Sequence, residues 1–174
     1  DFIADALFQE IGVTVDLNVS SFTKFDDRDG IQDPEFSNDA FEDLSFFLTE
    51  LAPPPSKKIS KEGAEGLILF KDIGCGGCHI PVLENVPLFS DLLLHDVSGN
   101  ERELISQASV LATEFRTPPL WGVSKTAPYM HDGMADTIKD AIEMHYGEAQ
   151  ISKDNFRLLS EEEKRTILLL LENL

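Results

Sequence analysis

The chain has 174 residues, 42% of them hydrophobic, enough for one compact core of ordinary size or one core with an appended segment. Its 32 acidic side chains against 14 basic ones give a formal charge of −18, which argues against nucleic acid or an anionic membrane surface as partner. No apolar run approaches the roughly 20 residues of a bilayer span; the longest is Ile167 to Leu171, so a soluble chain is expected.

The acidic excess is uneven, with 13 acidic and 2 basic side chains in residues 1–51. The chain opens at Asp1 without a basic or apolar leader, and any export signal is expected to have been removed or to lie outside it. Phe2, Ile3, Leu7, Phe8 and Ile11 recur at helical spacing before Gly12, which predicts a first amphipathic helix. From Val13 to Pro34 the pattern is that of a loop, with Asp26, Asp27, Asp29 and Gly30 on it. A calcium loop of the EF-hand type would need a ligand where Phe25 stands, so an acidic surface loop is expected instead.

A second helix is predicted from about Asp39 to Leu51, with Phe41, Leu44, Phe47, Leu48 and Leu51 on one stripe, ended by Pro53, Pro54 and Pro55. The triple proline reads as a domain boundary. Ser60 then starts a third helix with Leu67, Ile68 and Phe70 facing inward, halted at Gly74. Residues 80–125 read as mostly irregular. Asp136 is expected to cap a helix running to His145 and closed by Gly147, and Ser160 with Glu163 predicts a capping box at the start of a last helix. Laying Ser37–Leu51 over Ser160–Leu174 aligns Leu44 with Ile167 and Leu48 with Leu171, a weak repeat that two domain-ending helices would produce.

The chemistry concentrates at Cys75-Gly76-Gly77-Cys78-His79, the C-x-x-C-H sequence of covalent haem attachment. Two thiols add across the two vinyl groups of the porphyrin, and the adjacent imidazole becomes the proximal ligand to iron. Gly76 and Gly77 allow a tight turn against the macrocycle. Rival uses of the two cysteines are a thioredoxin-like dithiol, which would want a βαβ pattern, a zinc site, which would want two more close ligands, and a plain reduced pair. Both cysteines of the chain fall in this one motif beside His79, which favours haem. The other histidines, His95, His131 and His145, and the methionines Met130, Met134 and Met144 are the available distal ligands.

Phe115-Arg116-Thr117-Pro118-Pro119-Leu120-Trp121-Gly122, followed by Thr126-Ala127-Pro128-Tyr129-Met130-His131-Asp132-Gly133, resembles the C-terminal haem domain of bacterial di-haem cytochrome c peroxidases. Asp91-Leu92-Leu93-Leu94-His95-Asp96 and His145-Tyr146-Gly147-Glu148-Ala149 are similar to the branch called di-haem oxidoreductases, peroxidase-like or thiol oxidoreductases. The resemblance covers about residues 57–174 well and 1–56 loosely. It implies a mostly α, cytochrome c-like helical haem domain over 57–174 with long irregular loops, preceded over 1–56 by an acidic helical segment that ends an earlier haem domain. It also implies one covalently attached haem c held by Cys75, Cys78 and His79, with a redox partner protein or a second haem domain alongside.

The family's distal ligand lies on the helix after His-Asp-Gly, where this chain carries His145, so His79 and His145 are the implied iron ligands. Ile138, Ala141 and Ile142 would share a helix face with His145, while Met144 is rotated about 100° away. Met130 is the loop-borne competitor. Arg116 is a candidate partner for a haem propionate or a plain surface arginine. Trp121 and Tyr129 either pack on the macrocycle or fill core. His95 and His131 are expected to be structural, held by backbone carbonyls or by neighbours such as Asp96 and Asp132. Two axial histidines leave no open iron position, so electron transfer is the expected work. The alternative is the catalytic part of a haem peroxidase or thiol oxidoreductase acting with a second haem domain. Covalent haem attachment in bacteria implies the periplasm or the cell exterior.

Overall fold

Ser37, Ser60 and Ser160 each precede a helix, and each hydroxyl accepts a hydrogen bond from the backbone N–H three residues on, at Ala40, Gly63 and Glu163. A serine in extended backbone followed by a helical run thereby satisfies a donor that the first turn leaves free. The structure, a computed structural model, describes residues 2–16, 29–53, 59–99 and 110–174. It divides into two units, residues 1–53 and 54–174. Asp26, Asp27, Phe25, Pro54 and Pro55 lie outside the described residues, so the loop reading is described only at its two ends and the triple proline only at Pro53.

The first unit holds α1 (Phe2–Ile11) and α2 (Asn38–Glu50), bounded as the spacing predicts to within a residue or two. Val15 bridges Phe36 in parallel, and the buried Thr14 ties the connection down by donating its N–H to Glu35 and its hydroxyl to Asp33. Of the predicted stripe on α2, Phe47, Leu48 and Leu51 are exposed.

The second unit begins with α3 (Lys61–Asp72), followed by a 3-10 turn over Cys75–Gly77. A two-stranded antiparallel ladder pairs β1 (Leu94–Asp96) with β2 (Glu114–Arg116), placing His95 opposite Phe115. The rest is α4 (Ile138–Glu143), α5 (Gln150–Leu158) and α6 (Glu161–Glu172). The described chain is mostly α, as expected. The ladder interrupts the stretch read as irregular, and α5 was not predicted at all. Its sequence, with Ile151, Phe156 and Leu158 as the apolar residues, is too polar to announce a buried face.

The core is Phe70, Ile73, Phe89, Phe156, Ile167, Leu170 and Leu171, with Leu67 and Ile142 packed against it. Each such side chain contributes about 1.5–3 kcal/mol by leaving water. Its centre is the crossing of α3 over α6, where Gly66 is buried and an added Cβ would stand 2.5 Å from the Thr166 carbonyl oxygen. Ile68, predicted to face inward, is instead 61% exposed. It lies one residue from the Leu67 face and two from Phe70, about 100° and 200° around the helix, so a core met by those two cannot also meet it.

Candidate functional site

The end of α3 delivers the two cysteines. Gly74 adopts φ +102, a left-handed conformation open to glycine, and an added Cβ there would meet Ser152 Oγ at 2.7 Å. Asn155 donates its side-chain N–H to the Ile73 carbonyl at 3.2 Å, and Phe156 is fully buried in the core. Helix α5 therefore presses directly on the turn that carries Cys75 and Cys78. A Cβ on Gly77 would meet nothing within 4 Å, which leaves one side of that turn open. Burial raises the Cys75 thiol to about 11, and burial together with the Asp91 and Glu148 carboxylates raises Cys78.

His79 follows in an apolar wall. Its Nδ1–H donates to the Phe89 carbonyl at 3.0 Å, which leaves the lone pair on Nε2. Phe89 is buried at φ +53, a left-handed value costly for a non-glycine residue, and Phe70 packs edge-on against its ring at 6.4 Å. The strained carbonyl is held by the core and aimed at the imidazole. Burial pushes His79 down to about 4, so the ring is neutral at physiological pH, the form a metal binds.

His145 faces it. The two ring centroids are 6.5 Å apart with their planes at 58°. His145 Nδ1–H donates to the Ala141 carbonyl at 2.7 Å, so here too Nε2 keeps the lone pair, and burial lowers its basicity. An ion bound at Nε2 sits about 3 Å from the centre of an imidazole, given a metal–nitrogen bond of about 2 Å. Two rings on opposite sides of one ion therefore stand about 6 Å apart, close to the spacing observed.

The surroundings of His145 differ from the sequence reading. Thr137, not Asp136, caps α4, accepting from the Asp140 N–H at 3.1 Å. The helix ends at Glu143 with Met144 as its closing residue, so His145 lies just beyond it. The last turn tightens, with the Met144 N–H donating to the Ala141 carbonyl and the His145 N–H to the Ile142 carbonyl, and the His145 side chain adds a second bond to the Ala141 carbonyl four residues back. Met130 sits in a tight turn at φ +70.

His95 is structural, but its partners are not those expected. Its Nδ1 meets Glu148 and its Nε2 meets Asp91, both at 2.9 Å, in place of Asp96. Both carboxylates raise its pKa. Cys78, Asp91 and His95 each bring a potential metal-binding atom within 4.8 Å of one another, so the structure supplies two candidate ligands that a zinc reading would want. Both ring nitrogens of His95 are already engaged by carboxylates, which favours an imidazolium over a ligand. His131 stacks on Phe115 at 4.4 Å. Arg116 is exposed at the end of β2. Trp121 is half-buried between Leu120 and Val123, both of which pack on the core, and the Tyr129 hydroxyl donates to the Val123 carbonyl at 2.9 Å. Sequence reasoning missed the Phe89 carbonyl, the Glu148 carboxylate and everything on α5, including Lys153, which is 2% exposed.

A turn with paired cysteines beside two half-buried imidazoles 6.5 Å apart, set among short helices, is the arrangement of the cytochrome c-like class of helical domains. Residues 17–174 match the family described as "Di-haem oxidoreductase, putative peroxidase", and the chain belongs to that family. The methylamine utilization protein MauG of Methylophilus methylotrophus is 31% identical over 124 residues, covering 63% of this chain and 36% of that protein. The chain thus spans about a third of the length of that relative. A solved structure of Kuenenia stuttgartiensis hydrazine synthase superposes with a TM-score of 0.59 at 20% identity, covering 78% of this chain and 55% of that one, a likeness of fold. Among the described residues, no helix is long and apolar enough to cross a membrane.

Proposed function

We propose that this chain carries one haem c and serves as an electron-transfer domain of a di-haem, peroxidase-like oxidoreductase. The observation that carries the reading is the pair His79 and His145, rings 6.5 Å apart and each anchored through Nδ1 to a backbone carbonyl. Cys75 and Cys78 would hold the porphyrin by two thioethers, each thiol S–H adding across one vinyl double bond. His79 and His145 would be the axial ligands, with Arg116 and Trp121 at the edge of the pocket. Bound there, the iron supplies one-electron chemistry. The chain's own part is to fix both imidazoles in the tautomer that binds and to keep water from the iron. With His79 and His145 both engaged in holding the iron, electron passage would be favoured over binding of a small oxidant.

Two observations support a larger catalytic assembly: the family is di-haem, whereas this chain has a single C-x-x-C-H motif, and the chain spans 36% of its MauG relative. On that reading residues 1–56 close a preceding haem domain, the second haem domain is the redox partner, and peroxidase or thiol-oxidising turnover belongs to the whole protein. Covalent haem attachment in bacteria would put the protein in the periplasm or outside the cell.

The test is a pyridine haemochrome spectrum before and after acid–acetone extraction of the purified chain. One haem c retained per chain is the expected result. Haem released into the solvent, or none bound, would overturn the reading.

A further inference from the structure

Lys153 is among the most deeply buried side chains of the protein, 2% exposed, yet it is a cation. Its Nζ lies 3.4 Å from the centre of the Tyr146 ring, and among the described residues no carboxylate forms an ion pair with it. The ring face offsets only a part of the hydration that burying an ammonium loses. A buried cation without an anion is thermodynamically incomplete, so an anionic group belongs beside it.

Its position says which anion. Ser152, its neighbour on α5, faces Gly74 at the start of the cysteine turn, and Tyr146 follows His145. Lys153 thus sits on the helix that meets the cysteine turn, its ammonium lies on the ring of the residue next to His145, and its charge is felt at His145. Other charged groups facing it are Arg157 and Asp154 on its own helix and Glu143 at the end of α4. Arg157 and Glu143 are already paired with each other at 2.6 Å, and Arg157 also meets Asp154 at 3.6 Å. Both carboxylates attract the Lys153 charge from a distance, but each meets Arg157 and neither forms an ion pair with Lys153.

We infer that Lys153 is a cofactor-binding residue whose ammonium pairs with a propionate carboxylate of the bound haem. The inference rests on the haem reading above. A haem carries two propionates, so Lys153 adds to Arg116 without competing with it: Arg116 is exposed and can serve the solvent-facing carboxylate, Lys153 the buried one.

The test uses the haem-loaded chain with haem labelled by carbon-13 at its propionate carboxyls, read by redox-difference infrared spectroscopy. Haem content is measured first by pyridine haemochrome, so absence of covalent haem is a failure of the haem reading and is separately visible. In the wild type one propionate should show an ion-paired carboxylate band distinct from that of a solvated one. Lys153→Met should move that band and lower the midpoint potential, because a positive charge near the iron is lost, while Lys153→Arg should keep both near wild type. Two solvated-type propionate bands in the wild type would overturn the inference even if Lys153→Met failed to fold. Unchanged bands in a fully haem-loaded Lys153→Met would do the same, and would leave Lys153 as a packing partner of Tyr146.

Discussion

Replacing Gly66 by alanine tests whether the α3–α6 crossing holds the site together. The new Cβ would stand 2.5 Å from the Thr166 carbonyl oxygen and 3.1 Å from Leu170 Cβ. Ordinary contact between heavy atoms needs about 3.5 Å, so the helices must part by about 1 Å. The obstacle is backbone, which a rotamer change cannot clear. Overpacking of this kind costs about 1–3 kcal/mol, and alanine returns about 1 kcal/mol over glycine as a helix former. Because the clash is with backbone, a net loss of about 1.5 kcal/mol is expected. For a chain of this length that lowers Tm by about 3–6 °C, measured by circular dichroism at 222 nm. An unchanged or raised Tm would mean that helix propensity alone governs this position and that the helices do not cross at Gly66.

Replacing His145 by alanine should turn a low-spin spectrum into a high-spin or water-ligated one and let carbon monoxide bind the reduced iron, whereas Met130→Ala should leave the spectrum as it was. A methionine–iron charge-transfer band in the wild type, abolished by Met130→Ala, would refute the choice of His145. Hydrogen bonds to Glu148 and Asp91 raise the His95 pKa, so its contribution to stability is fully present below the unfolded value of about 6.5 and is lost as pH rises through the folded value. The same bonds help lower Glu148 and Asp91, whose contributions are lost at the other end, as pH falls through their folded values. The Tm difference between wild type and His95→Gln, followed by circular dichroism from acid to alkaline pH, should therefore be largest between those limits; a difference independent of pH would show that the three groups do not act as an ionic cluster.

Much of this was legible in local sequence because the informative signals are local. Ser60 and Ser160 announce helix starts through one side chain and one N–H, and the motif Cys75 to His79 needs five consecutive residues. Ile68 was misplaced because the width of an apolar stripe is set by what packs on it, and the α6 residues, Phe89 and Phe156 meet α3 on the side of Leu67 and Phe70. The end of α4 was misjudged because His145 spends its own Nδ1–H on the Ala141 carbonyl, a choice that helical periodicity cannot express. The partners of His95 were out of reach for another reason: Glu148 lies 53 residues away, and only the fold brings it to β1. Helix α5 failed as a signal because its buried residues include a lysine, and binary patterning counts lysine as surface.

The two imidazoles are not held alike, and the difference bears on how a di-haem protein would use this site. His79 is fixed by the neighbouring Cys78 and by the carbonyl of Phe89, a residue kept at φ +53 by burial among Phe70 and the core. Moving it would mean opening the core around Phe89. His145 is tied to a six-residue helix by its Nδ1–H to the Ala141 carbonyl and its backbone N–H to the Ile142 carbonyl, and the next N–H, of Tyr146, goes to the Val97 carbonyl. Six residues make a marginal helix whose order comes from packing, through Ile138 and Ile142 on the core. If both imidazoles hold the iron as proposed, a shift of α4 would move His145 while His79 stays. A closed site suited to passing electrons and an open one suited to binding a small oxidant would then differ by the position of a single short helix, and the carbon monoxide affinity of His145→Ala measures the open end of that range.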